Sequence, residues 1–177
     1  MRKRLITLHM YLSAFFAPFV VMVAVSGGLY LIGDKGEVAQ TSIYKGPAVL
    51  ETGSPKLKSE VEALLAKAGV RDYSFEYVKV KGTTLYTRPT THDHYVIKLA
   101  DGNAEVLSAV PNLQSSMIEL HKGHGPGRFK TFQKVFSLGL LFIILTGLGL
   151  GISAPGLRNS TLVTTIAGTL VFLALAL

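Results

Sequence analysis

Histidine is the side chain in this sequence with the widest choice of chemistry, because it can ligate a metal, bind haem iron or relay protons. The chain has five histidines and no cysteine among its 177 residues. The lack of cysteine excludes disulfides, thiolate nucleophiles and Cys-ligated zinc or iron–sulfur centres. The histidines are His9, His92, His94, His121 and His124.

Two of them lie close together in the segment Thr91-His92-Asp93-His94. On a strand, residues two positions apart point to the same side, so His92 and His94 would be able to share a metal ion. The competing interpretation places both histidines in solvent, in a polar loop beside a strand. We name the pair as a candidate metal site with that alternative open.

The other three histidines, His9, His121 and His124, border long apolar runs. Histidine at such depth predicts haem ligation or a proton relay, so all three are candidate haem ligands. In a three-span topology His9 lies at the opposite membrane face from the other two, ~30 Å away, and one chain cannot clamp a haem between them. The alternative is that these histidines contact lipid head groups at the interface.

The overall composition favours a membrane protein, and the sequence lacks recognisable catalytic motifs. Hydrophobic residues make up 49% of the chain, and its net charge of +7 suits anionic lipid head groups better than nucleic acid. The sequence has no Ser-His-Asp arrangement with supporting context, no Gly-rich phosphate loop and no HExxH motif. We therefore expect membrane lipids as partners, no nucleic acid and no enzyme activity.

Three apolar runs enclose a polar block and must position these histidines. No charged residue interrupts residues 5–33, 135–157 or 160–177, and at ~1.5 Å per residue each run can cross a ~30 Å hydrocarbon core. The predicted organisation is an N-terminal flank and first transmembrane helix in 1–33, an extramembrane domain in 34–112, a basic interfacial segment in 113–134, a second transmembrane helix with a short turn in 135–157, and a third in 158–177.

The charges flanking the first run predict the orientation. Arg2, Lys3 and Arg4 precede it, which favours a cytoplasmic N-terminus and places the polar block outside, in a periplasm if the host has two membranes. Four basic residues before the second run oppose this orientation: Lys122, Arg128, Lys130 and Lys134. Because the first helix usually dominates, we expect the domain outside and the first run retained as an anchor rather than cleaved as a signal peptide.

The polar block has the pattern of one helix followed by an antiparallel meander, which predicts a small α+β domain. Residues 34–54 look irregular, with Gly46-Pro47 as a breaker; Ser54 then caps a helix that ends before Gly69. Its leucine stripe should cover one sheet face. The helix stripe is Leu57, Val61, Leu64 and Leu65, the four strands are 73–81, 83–88, 94–99 and 104–110, and the hairpin turn is Asp101-Gly102-Asn103.

Small residues in the spans predict close helix packing, within the chain or with partner subunits. These positions are Gly27, Gly28, Gly147, Gly151 and Gly168. The break at Gly125-Pro126-Gly127 comes where the chain must turn into the second span. We expect Arg128 and Lys130 to lie near lipid phosphates or an acidic partner surface.

Several of these segments resemble the PepSY-associated transmembrane family. The segments are Leu8-His9-Met10-Tyr11-Leu12 with Ser26-Gly27, then Leu120-His121-Lys122-Gly123 with Pro126-Gly127-Arg128, then Leu145-Thr146-Gly147, and the tail Asp101-Gly102-Asn103-Ala104-Glu105-Val106-Leu107. Their order and spacing cover most of the chain. The resemblance implies a bacterial inner-membrane protein with a PepSY domain in the periplasm, in a short three-span form.

The same resemblance implies two classes of function. Larger relatives include haem-containing ferric-siderophore reductases whose membrane histidines bind haem, and His9 and His121 match those histidines by position. We expect instead an accessory, scaffold or regulatory subunit that acts through helix packing and its periplasmic domain, with other membrane subunits or a second copy as partners and no cofactor. The alternative is a haem b-binding redox protein that completes its ligand set with histidines from a neighbour.

Overall fold

The computed structural model describes residues 2–177 and divides into two compact units, residues 2–20 with 134–177 and residues 21–133. The elements in chain order are α1 (Arg2–Leu31), β1 (Val38–Pro47), α2 (Leu57–Lys67), β2 (Tyr77–Lys81), β3 (Thr84–Arg88), β4 (His94–Ala100), β5 (Asn103–Pro111), α3 (Leu113–His121), α4 (Gly127–Ile152) and α5 (Arg158–Ala176).

Three of the helices, α1, α4 and α5, are long and apolar enough to cross a membrane. Together with the antiparallel sheet they agree with a mixed α+β membrane protein, as the sequence predicts. Helix α4 begins at Gly127, eight residues before the apolar run that starts at Val135. The earlier start follows from Pro126, which suits a helix beginning, and from residues such as Arg128 and Lys130 that extend a helix without being apolar.

The sheet has five antiparallel strands in the order β1-β5-β4-β3-β2. The meander β2 to β5 was predicted, although β2 begins at Tyr77 rather than Tyr73. The prediction of an irregular stretch over residues 34–54 is wrong, because Val38–Pro47 forms β1 and pairs with β5. This edge strand is largely exposed and has a register shift between Ser42 and Tyr44. It therefore lacks the strict alternation by which strands are recognised.

Helix α2 covers one face of the sheet, as its leucine stripe predicts. All four stripe residues are buried, and they pack with Leu85, Ile97 and Val106 of the sheet. The helix begins at Leu57, later than a cap at Ser54 implies, although the Ser54 hydroxyl still accepts a hydrogen bond from the Lys56 N–H at 3.1 Å. Burial of these apolar side chains stabilises the packing of α2 on the sheet.

The predicted hairpin turn is also confirmed. Asp101 and Gly102 have φ angles of 47° and 74° and connect Ala100 to Asn103, which pair across the β4–β5 hairpin. Two consecutive residues in the left-handed region are what a two-residue turn of this kind requires.

Helix α3 lies on the face of the sheet opposite to α2 and places Glu119 beside Arg88. The Asn112 side chain caps it by accepting from the Ser115 N–H at 2.8 Å. Ile118 is buried on this helix, and a second small core of Val96, Leu107 and Ala109 lies on the sheet. Because α3 has only nine residues, it covers part of this face and leaves the rest accessible.

The other unit packs α4 against the first part of α1. Phe16 and Phe136 are both buried, with their ring centroids 5.5 Å apart. Gly139 faces the Phe16 ring so closely that a side chain at this position would collide with it. Helix α5 contributes no buried residue.

Candidate functional site

Glu119 on α3 is the centre of a polar network in the unit of residues 21–133. Its Oε2 accepts hydrogen bonds from Arg88 Nη1 at 3.2 Å, from the Thr90 hydroxyl at 2.7 Å and from His124 Nδ1 at 2.7 Å. Its Oε1 accepts from Lys122 Nζ at 2.6 Å. Strand β3 supplies Arg88, while the end of α3 and the turn after it supply the other charges. One carboxylate therefore ties the sheet to the segment that leads into α4.

The network keeps Glu119 ionised. Burial alone would raise its pKa, but hydrogen bonds from Lys122, Thr90 and His124 outweigh burial and lower the pKa to about 2. The side chains of Arg88 and Glu119 are only 11% and 18% exposed, so this ion pair is largely shielded from water. A carboxyl with so low a pKa holds no proton near neutral pH and serves as a fixed negative charge.

A cavity of about 510 Å³ adjoins this network between α3 and the sheet. Charged and polar residues line much of it: Lys79, Lys81, Arg88, Thr90, His94, Glu119, Lys122 and His124. Val38, Tyr86 and Val96 add apolar surface. Burial, more than any other influence, lowers the pKa of His94, so this imidazole is neutral near pH 7.

In the same unit, His121 contacts the first span through a serine and a glycine. Its Nδ1 lies 3.1 Å from the Ser26 hydroxyl. The next residue, Gly27, leaves room for the ring, since a Cβ there would lie 3.1 Å from His121 Cε1. The Ser26-Gly27 dipeptide thus provides both a hydrogen-bond partner and the space that the imidazole occupies.

In the other unit, His9 makes the same arrangement with α4. Its Nδ1 lies 2.9 Å from the Thr146 hydroxyl, and a Cβ at Gly147 would lie 3.3 Å from His9 Cε1. Two different histidines therefore meet a hydroxyl-glycine dipeptide on a facing helix. At both places the hydroxyl contacts Nδ1 and the glycine that follows leaves room for the ring, which is a physical reason for the pairs Ser26-Gly27 and Thr146-Gly147.

The hydroxyl contacts favour the tautomer of each ring in which Nδ1 carries the proton. Ser26 donates its hydroxyl hydrogen to the Met22 carbonyl at 2.7 Å, and Thr146 donates to the Phe142 carbonyl at 2.8 Å. Each oxygen is then left to accept from a histidine Nδ1–H. The Nε2 atoms of His9 and His121 have no hydrogen-bond partner among residues 2–177, so each presents a lone pair suited to a metal or a proton.

The remaining predicted histidines lie at the boundaries of β4 and α3. Strand β4 begins at His94, and His92 lies on the bend before it. The two histidines are therefore not both on a strand, as the predicted metal site requires. His94 Nδ1 lies 2.9 Å from the His92 carbonyl oxygen, and across the described residues no group of three or more His, Asp or Glu side chains is placed to hold a metal. His121 ends α3 and His124 follows in the turn, so they do not share a helical face.

The predicted packing glycines divide into two groups. Gly27, Gly147 and Gly151 each face a side chain on another helix, and Thr161 is the neighbour of Gly151. At Gly28 and Gly168 a Cβ would meet no atom within 4 Å, so both positions face open space. The glycines that face a side chain therefore serve packing within the chain, whereas Gly28 and Gly168 leave room for another molecule.

The two basic residues at the start of α4 have different environments. Lys130 Nζ donates to the Tyr77 hydroxyl at 3.1 Å and lies over the Tyr77 ring, whereas Arg128 is exposed. The predicted contact of both residues with lipid phosphate stays a prediction. Sequence reasoning missed Glu119 and Arg88, and the only local signal was the three-residue spacing of Glu119 and Lys122, which suits an ion pair on a helix.

Comparison with known proteins gives no further identification: no family model, no curated protein and no solved structure matches this chain.

Proposed function

We propose that this chain is an accessory, scaffold or regulatory subunit of a membrane assembly. The observation that supports it best is the state of α5, which buries none of its residues and turns Gly168 to open space. Thr164 stands four residues before Gly168, so both lie on one helical face, where small residues permit close approach of another helix. A partner subunit or a second copy would pack on this face.

The resemblance to PepSY-associated transmembrane proteins supports the same proposal. In this proposal, the domain between α1 and α4 is a PepSY-like module that contacts or regulates the partner subunit. The chain lies in a bacterial inner membrane with its N-terminus in the cytoplasm and this domain in the periplasm, an orientation supported by Arg2, Lys3 and Arg4 ahead of the first apolar run.

Crosslinking in membranes followed by mass spectrometry tests the proposal. We expect the full-length chain to crosslink to a second membrane protein or to itself, and Gly168→Leu to reduce the product by filling the gap on α5. Ala174→Leu introduces the same side chain on a different face of α5 and should leave the product unchanged. A monomer without crosslinks in native membranes, or equal crosslinking by both variants, would contradict the proposed α5 interface.

A second function, haem binding in a redox protein, is favoured by one specific observation. His9 and His121 each direct Nδ1 to a hydroxyl and leave Nε2 without a partner in the described chain. Histidine ligands of metals commonly have this arrangement, with the second nitrogen held by a hydrogen bond. These two residues would hold the haem iron through Nε2, each together with a histidine from another copy or a neighbouring subunit. Haem would supply one-electron transfer at its iron.

A visible absorption spectrum separates the two functions. If haem binds, protein purified after expression with haem available shows a Soret band, and His9→Ala or His121→Ala reduces it. His92→Ala is the matched control, because His92 is exposed and lies outside the candidate spans. A colourless wild-type preparation would eliminate the haem function and leave the accessory function standing.

A further inference from the structure

The cavity between α3 and the sheet carries an excess of positive charge. Four cationic side chains line it, Lys79, Lys81, Arg88 and Lys122, against the single carboxylate of Glu119. Because Glu119 is ionised and His94 is neutral near pH 7, these four cations exceed the carboxylate by three positive charges, with His124 left out of the count. Such an excess in a partly enclosed space attracts an anion that bears more than one charge.

Glu119 pairs with only two of these four cationic side chains. It accepts from Arg88 Nη1 and from Lys122 Nζ. Arg88 Nε is buried and has no hydrogen-bond partner among residues 2–177. A buried donor without an acceptor is unfavourable, and a guanidinium has a planar fork of N–H groups that matches phosphate oxygens.

Lys79 and Lys81 extend the positive surface along β2. Neither forms an ion pair within the part of the chain that the structure describes. They lie on the same side of the strand, because residues two positions apart share a face. Across the β2–β3 pair, Lys79 is opposite Tyr86 and Tyr77 is opposite Arg88. The two ammonium groups and the guanidinium therefore line one face of the sheet around a shared space.

We propose that this cavity binds a phosphate group. A volume of about 510 Å³ admits a phosphate-bearing molecule of metabolite or head-group size rather than the ion alone. The Arg88 guanidinium and the lysine ammonium groups hold the phosphate oxygens, while Tyr86 and Val96 contact the less polar part of the molecule. Such a phosphate group comes from a soluble phosphate ester or from an anionic lipid head group.

Titration of the full-length protein in detergent tests the phosphate chemistry. Inorganic phosphate is the probe, added by isothermal titration at constant ionic strength with chloride as the balancing salt. We expect saturable binding that is about tenfold weaker in the Lys79→Gln/Lys81→Gln double variant, since each lost charge-assisted contact removes part of the affinity. Arg88→Lys keeps the charge opposite Glu119 but replaces the planar guanidinium with a single ammonium group, and it should also weaken binding.

Lys98→Gln is the matched control, because Lys98 is an exposed lysine of the same sheet that does not line the cavity. It should bind phosphate as the wild type does. Equal binding by the wild type and the double variant would overturn the proposal. So would equal loss in the Lys98 variant, which would indicate nonspecific charge.

A second arm identifies the source of the phosphate. The protein is reconstituted into vesicles of phosphatidylcholine alone or of phosphatidylcholine mixed with phosphatidic acid, and glycerol 3-phosphate is titrated into each. Competition by phosphatidic acid that the double variant abolishes assigns the cavity to a lipid head group. Equal binding of glycerol 3-phosphate in both vesicles assigns it to a soluble ester. No binding of inorganic phosphate, glycerol 3-phosphate or phosphatidic acid would refute the proposal.

Discussion

The Glu76 carboxylate accepts a hydrogen bond at 2.8 Å from the backbone N–H of Gly127, the first residue of α4. The two residues are 51 positions apart in sequence. The first N–H groups of a helix have no partner within it, and a negative charge there is also favoured by the helix dipole. Glu76 thus acts as the cap that α4 lacks in its own sequence and joins the sheet to the beginning of this helix.

We predict that Glu76→Ala lowers the free energy of unfolding by about 1 kcal/mol, as loss of a cap generally does. Thermal unfolding in detergent, followed by circular dichroism, measures the change. Glu37→Gln removes a carboxylate that caps no helix and should have little effect. If Glu76→Ala were as stable as the wild type, the cap would be energetically unimportant.

The free energy of unfolding of the domain should decrease in two steps as the pH is lowered. His94 has a pKa below its ordinary value of 6.5, so the unfolded chain takes up a proton that the folded chain resists as pH falls below about 6.5. Glu119 has a pKa of about 2 against an ordinary 4.5, so its contribution is present above pH 4.5 and is lost as pH falls from there toward 2.

Unfolding temperatures measured from about pH 8 down to about pH 3 check the two steps. Glu119→Gln should remove the lower step and lower stability by roughly 3 kcal/mol at neutral pH, because Arg88 stays buried without its counter-charge. His94→Gln should remove the upper step. A flat pH profile in the wild type would show that neither group is linked to folding.

The tautomer of His121 is open to direct measurement. We expect the ring nitrogen resonances of the neutral imidazole to report the proton on Nδ1 and not on Nε2, because the Ser26 hydroxyl donates to the Met22 carbonyl and is left to accept from Nδ1. Ser26→Ala should abolish this preference and lower the free energy of unfolding by about 1 kcal/mol, a usual value for one intramolecular hydrogen bond. Thr164→Ala is the control, because this hydroxyl bonds only to carbonyls of its own helix. Unchanged resonances in Ser26→Ala would contradict the contact.

Gly139 should tolerate no side chain. A Cβ at this position would meet the buried Phe16 ring, and overpacking of this kind costs about 1–3 kcal/mol. Gly139→Ala should therefore lower the unfolding temperature in detergent. Gly149→Ala, at a position with open space around it, should not. Equal effects of the two variants would show that Phe16 can move away at little cost.

Single cysteines test the proposed orientation, since the natural chain has none. Asn103→Cys lies in the exposed turn of the domain and should react with a membrane-impermeant thiol reagent in intact spheroplasts. Asn159→Cys, near the exposed connection between α4 and α5, should react only after lysis. The reverse pattern would place the domain in the cytoplasm.

Much of the fold was predictable from local patterns. The stripe of Leu57, Val61, Leu64 and Leu65 has the helical period, and Asp101-Gly102 has the backbone freedom that a tight hairpin needs, so sequence alone identifies both. Strand β1 was not predictable in this way, because an exposed edge strand is fixed by its partner β5 and not by its own alternation.

The polar network was less predictable than the fold. Glu119 meets Arg88 only because the sheet places β3 beside the end of α3, and the two residues are 31 positions apart. Similarly, the pairing of His121 with Ser26 spans 95 positions. Histidine and glycine stood out as residue types, whereas their hydroxyl partners became evident only from three-dimensional contacts.

The first and last residues of the segment 37–112 are neighbours in the structure. The Asn112 N–H donates to the Glu37 carbonyl at 2.9 Å, next to the Val38–Pro111 pair that closes the β1–β5 ladder. A segment whose first and last residues are neighbours can be excised or exchanged without stretching the chain on either side. Residues 37–112 therefore form an insertion cassette, and a short linker in their place would still connect α1 to α3.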